Sequence, residues 1–94
     1  MNSLGLKADP RLRGQSASTW EDQSLTICGM RARVTWSPRL GLRLFVGEAD
    51  YYDSVSRESF AQDDAGNVSE LDVRRARERL IETARQYLKE RRGV

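Results

Sequence analysis

The sequence predicts an α+β fold: a three- or four-stranded antiparallel meander covered on one face by a long C-terminal helix. Three observations carry that expectation. Residues Arg31 to Trp36 alternate polar and apolar with a period of two, as a half-buried strand does. Val73, Ala76, Leu80, Ala84, Tyr87 and Leu88 recur at three- and four-residue spacing, the period of an amphipathic helix. Turn-forming residues, Gly29 and the run Ser37, Pro38, Arg39, Leu40, Gly41, separate the apolar stretches at hairpin intervals. An isolated helix gains too little from its own backbone to fix such a face, so helix and sheet must cover each other.

The chain has 94 residues, enough for one domain with a modest core. Apolar residues make up 38% and charged residues 32%, a polar balance that two Trp, three Tyr and two Phe still allow to fold. No apolar run approaches the ~20 residues of a membrane span. Met1 to Gly14 lacks the apolar centre of a secretory signal, so a cytoplasmic location and no membrane partner are expected. Cys28 is the single cysteine, which excludes an internal disulfide and a cysteine-based zinc site. There is no histidine, so imidazole acid–base chemistry is excluded, and no metal or other cofactor is expected.

Taken in order, residues 1–19 show no stable period and read as a flexible N-terminal tail, with Leu4 and Leu6 as its expected contacts should it order and Lys7, Arg11 and Arg13 as its basic residues. Residues 20–92 read as a single compact α+β domain. Trp20 is expected against a sheet edge or helix. Leu25, Thr26, Ile27 and Cys28 form the first strand signal, followed by a tight connection at Gly29. In the next strand Ala32, Val34 and Trp36 share one face and Arg31, Arg33 and Thr35 the other. The third, Leu42 to Val46, sets Leu42, Leu44 and Val46 inward and Arg43 and Phe45 outward. A short fourth strand closes at Val55, with Tyr51 and Tyr52 on opposite sides. Ser56 to Ala61 is expected to make a helical turn anchored by Phe60, and Gln62 to Asn67 a surface loop. That loop superficially resembles a calcium loop, but its carboxylates are out of register with the required pattern. Ser69 is the expected helix cap, with Asp72 in the first turn. Along the helix Arg74 with Glu78, Arg79 with Glu82, and Glu82 with Arg85 have the spacing of ion pairs. Arg77 borders the apolar side and is expected to snorkel or pair with a carboxylate of the acidic segment.

Charge is segregated along the chain. Residues 1–47 hold seven basic and three acidic side chains, for +4; residues 48–72 one and eight, for −7; residues 73–94 eight and three, for +5. The acidic block therefore compensates the basic regions internally or faces a basic partner.

Two sets of residues are candidates for function. Glu48, Asp50, Tyr51, Tyr52 and Asp53 combine tyrosines with acids, the composition of a protein interface with an aromatic centre and an ionic rim. Arg31, Arg33 and Arg43 with Phe45 on the outer sheet face combine phosphate attraction with a stacking platform, as single-stranded nucleic-acid readers do. Catalysis has little to stand on: the serines have no positioned base, Asp63 and Asp64 are loop neighbours, and no glycine-rich phosphate loop is present. The expected function is that of a small non-enzymatic interaction or accessory protein whose partner is another protein or a second copy of itself. A small nucleic-acid-associated regulator is the alternative and an orphan enzyme the second alternative. An open sheet edge on so short a chain also suggests a homodimer.

Overall fold

The period-two segments fold into a four-stranded antiparallel sheet in the order β1 (Trp20–Ile27), β2 (Met30–Ser37), β3 (Gly41–Val46) and β4 (Tyr51–Val55), a plain meander. The computed structural model describes residues 16–92. A 3₁₀ turn (Arg57–Ser59) follows β4, and the helix α1 (Glu70–Arg92) lies across one face of the sheet. The fold is thus the α+β meander with a covering helix.

Alternation decides which side chains meet the helix. Ile27, Ala32, Val34, Trp36, Leu42, Leu44 and Val46 point inward and are buried, and from α1 Val73, Ala76, Leu80, Ile81, Ala84 and Leu88 meet them. Tyr87, expected on this apolar side, is 45% exposed at its border, whereas Ile81 widens the buried stripe beyond the residues read from spacing. Phe60 anchors the 3₁₀ segment by packing edge-on against Trp36, with ring centroids 5.3 Å apart. At the head of α1 the Ser69 hydroxyl accepts the Leu71 N–H at 3.2 Å, which caps the helix.

The hairpins follow their turn chemistry. Cys28 and Gly29 have φ of 51° and 80°, the two positive values that a two-residue hairpin loop requires, so Cys28 belongs to the turn and not to the strand. Gly41 closes the next hairpin at a φ of 95°, and a Cβ there would lie 2.4 Å from the Val55 carbonyl oxygen. Only glycine fits that approach.

Residues 1–15, most of the expected tail, lie outside the described residues. Its last part is already joined to the fold: Ala17 is buried, its N–H donates to Val68 O at 2.9 Å, and its carbonyl accepts the Trp36 indole N–H at 3.2 Å.

Arg77 has a different partner from the one expected. Its guanidinium bonds Asp22 on β1 at 2.6 Å and Glu78 at 3.0 Å, whereas the acidic segment, residues 48–72, supplies neither. Asp22 also accepts the Ser24 N–H and hydroxyl. The backbone bond first, then the hydroxyl and Arg77, hold the Asp22 carboxyl below its ordinary 3.8. A depressed folded-state value contributes stability above the unfolded value and loses it as pH falls through the folded one. Asp22→Asn is therefore expected to narrow the drop in urea midpoint between about pH 6 and pH 3. An unchanged drop would place the acid sensitivity on other carboxylates, with Asp63 and Glu82 next in line.

The remaining helix pairs partly follow the expected spacing. Glu82 and Arg85 bond at 2.6 Å, but Arg74 turns back to Glu70 at 2.9 Å instead of on to Glu78. In the loop before α1 the Asp63 carboxylate accepts the backbone N–H groups of Ala65 and Asn67, which is a turn-forming role.

Candidate interface on the open sheet face

The structure distributes the acidic and tyrosine set across three places. Glu48 and Asp50 sit exposed in the β3–β4 loop, with Asp50 folded over Gly47. Tyr51 faces inward and packs against Tyr87 of α1 at 5.2 Å, while its hydroxyl donates to Asp53 at 3.3 Å. Burial first, and then Asp53, push the Tyr51 phenol above its ordinary value of 10.0. The other Asp53 oxygen accepts the Ser54 N–H at 2.8 Å. Tyr52 points the other way, onto the sheet face that α1 leaves open, and is 56% exposed.

On that face Tyr52 joins the second set. Register pairs Arg33 with Phe45 across β2 and β3, and Phe45 with Tyr52 across β3 and β4, so the three side chains form one row. The Arg33 guanidinium lies 4.6 Å from the Phe45 ring centroid and that of Arg43, two residues along β3, lies at 5.6 Å. Phe45 and Tyr52 are 5.1 Å apart and tilted by 49°. Arg31 continues the β2 side of the face and is exposed. Stacking on a ring holds a guanidinium flat and leaves its N–H donors on the ring's periphery.

Charge on the face is unbalanced. Glu21 on β1 approaches Arg33 at 3.8 Å, an exposed contact that offsets little of the charge of three arginines. Thr35 Oγ1 and Arg43 Nε, on paired residues of β2 and β3, are shielded from solvent and have no hydrogen-bond partner among the described residues. Both can donate to an acceptor oxygen. The planar cations and the exposed phenol, not these shielded atoms, form a surface suited to anionic and aromatic groups.

The sheet's two edges are less inviting. Gly47 N–H bonds Arg31 O, so by ladder alternation Leu42, Leu44 and Val46 send their backbone groups to β4, and Tyr52 and Ser54 keep theirs for the outer edge. Asp53 already occupies the Ser54 donor. On the opposite edge β1 is interrupted by a bulge between Asp22 and Leu25, and Asp22 occupies the Ser24 donor. Bulges and carboxylates are the devices by which edge strands resist pairing.

Among the described residues no group of three or more Asp, Glu or Cys comes together as a metal site, and no helix is long and apolar enough to cross a membrane. No family model, curated protein or solved structure matches the chain, so the row of Arg33, Phe45 and Tyr52 with Arg43 beside it stands on its geometry alone.

Proposed function

We propose that this protein is a non-enzymatic interaction module that docks an acidic protein surface on the open face of its sheet. Tyr52, Phe45, Arg33 and Arg43 form the centre of that surface and Arg31 its rim. The observation that carries the reading is the row itself: tyrosine and arginine, the residues richest in binding hot spots, side by side on a face the helix does not cover. The protein's own Glu48 and Asp50 present acids on an exposed loop, so a second copy is one chemically suitable partner. A cytoplasmic placement belongs to the same reading, supported by the charge-rich composition and the single cysteine.

Single-stranded nucleic acid is the second reading, favoured by the exposed Tyr52 ring among cations. It ranks below because Arg33 and Arg43 already stack on Phe45, which leaves one free platform where single-strand readers stack several successive bases.

Affinity capture from the source cells with and without nuclease, using the wild type and Tyr52→Ala, separates the two. The expected result is a protein retained after nuclease and weakened by ~2 kcal/mol or more in Tyr52→Ala, with the melting temperature unchanged. Recovery that disappears with nuclease, and falls steeply with salt, transfers the face to nucleic acid. Equal retention by the variant removes the face from consideration.

A further inference from the structure

The arginines of α1 divide by their partners. Arg74 is bonded to Glu70, Arg77 to Asp22 and Glu78, and Arg85 to Glu82, while Arg91 lies over Tyr87. Arg75 and Arg79 have no carboxylate within ion-pairing distance among the described residues. They are one helical turn apart, so they project side by side, an arrangement that like charges disfavour in the absence of a counter-ion.

Both border the same cleft, on the helix-covered side of the sheet and away from the open face. It lies between α1 and the chain leaving β4, has a volume of about 450 Å³, and rests on Val55, Phe60, Ala76 and Leu80. That size falls within the range of small-molecule sites. The floor is apolar and the rim carries two arginines against the single Asp72, so the cleft complements a molecule with an apolar body and an anionic head. Two guanidinium forks a turn apart can take the two oxygens of one carboxylate. Asp72 at the end of the cleft next to Arg75 disfavours a second negative charge. Ser59 and Thr83 add hydroxyls along the walls.

We propose that this cleft is a binding site for a small monocarboxylate with an aliphatic tail, its head held by Arg75 and Arg79 and its tail lying on Phe60 and Leu80. The site is separate from the open face, and its occupancy does not depend on the interaction proposed there.

Octanoate, acetate and octan-1-ol isolate the head and the tail. Each is titrated at ~0.15 M salt into the full chain, and into Arg75→Gln/Arg79→Gln, while backbone amide shifts are followed. Octanoate is expected to give saturable shifts centred on Phe60, Ala61, Ala76, Leu80 and Thr83. Acetate and octan-1-ol are each expected to bind about tenfold more weakly or worse, and the double variant to lose about tenfold in octanoate affinity with its spectrum otherwise intact. Both substituted residues are exposed, so the fold is expected to survive the change. Octan-1-ol binding as tightly as octanoate overturns the role of the arginines, and acetate doing so overturns the role of the floor. No saturable octanoate shift below ~10 mM, shifts centred on the open face, or a double variant that binds normally each overturn the site itself.

Discussion

Truncation of Trp36 to alanine is expected to cost about 3–5 kcal/mol of folding stability, the largest single loss in this chain. Trp36 is fully buried at the centre of the inner face, beside Leu42 on β3 and opposite Trp20 on β1. Its ring also meets Phe60 edge-on, and its N–H is the bond that holds Ala17 against the sheet. Alanine would empty the space where β1, β2, β3 and the 3₁₀ segment converge, and would leave the Ala17 carbonyl unsatisfied. Trp36→Phe bears on the two contributions, because it keeps an aromatic ring in the site while losing the donor and a smaller part of the packing than alanine does. It is expected to cost about 1–3 kcal/mol. Urea denaturation of both variants reads the difference, with Trp20 retained as the fluorescent reporter. If phenylalanine costs as much as alanine, the bond to Ala17 outweighs the packing.

What the residues revealed in advance divides along physical lines. β2 and β3 were legible because each is regular, buried on one face and bounded by turn chemistry, so alternation alone fixes their inner residues. β1 was legible only in its second half. The bulge between Asp22 and Leu25 breaks the period, so Trp20 and Leu25 both pack against the core although they are five positions apart, an odd offset that an unbroken strand would place on opposite faces. The anchoring of Ala17 left no trace in the sequence, because it uses two backbone groups and a small side chain. The partner of Arg77 was hidden for another reason. Asp22 lies 55 positions away, and spacing rules rank only carboxylates on the same element.

The candidate face was visible in two halves that the sequence could not join. Arg33, Arg43 and Phe45 follow from the alternation of two strong strands. Tyr52 joins them only through the β3–β4 register, which the loop after Val46 sets. A slip of one residue would send Tyr51 outward and Tyr52 into the core, and nothing in two adjacent tyrosines decides between those states. The acids around them looked like an interface rim. In the structure Asp53 serves Tyr51 and the strand's own edge, while Asp50 lies over Gly47 and stays exposed.

Leu80→Ala is expected to destabilise the domain by ~2–5 kcal/mol and its neighbour Arg79→Ala by less than about 0.5 kcal/mol. Leu80 is 5% exposed and faces the inner side of the sheet in the middle of the α1 stripe, between Ala76 and Ala84. Those alanines are too short to move into the space a lost leucine leaves, so most of the cavity should persist. Arg79 points to solvent and makes no ion pair among the described residues, so its removal leaves no buried partner stranded. Equilibrium denaturation of the two variants measures the contrast, and equal losses would mean that the helix is rotated about its axis relative to this arrangement. The same pair separates folding from binding. Both residues border the cleft beside the chain leaving β4, but only Arg79 can be removed without loosening its floor. Arg79→Ala should therefore weaken octanoate binding at unchanged stability, whereas any binding loss in Leu80→Ala should come with a lower denaturation midpoint.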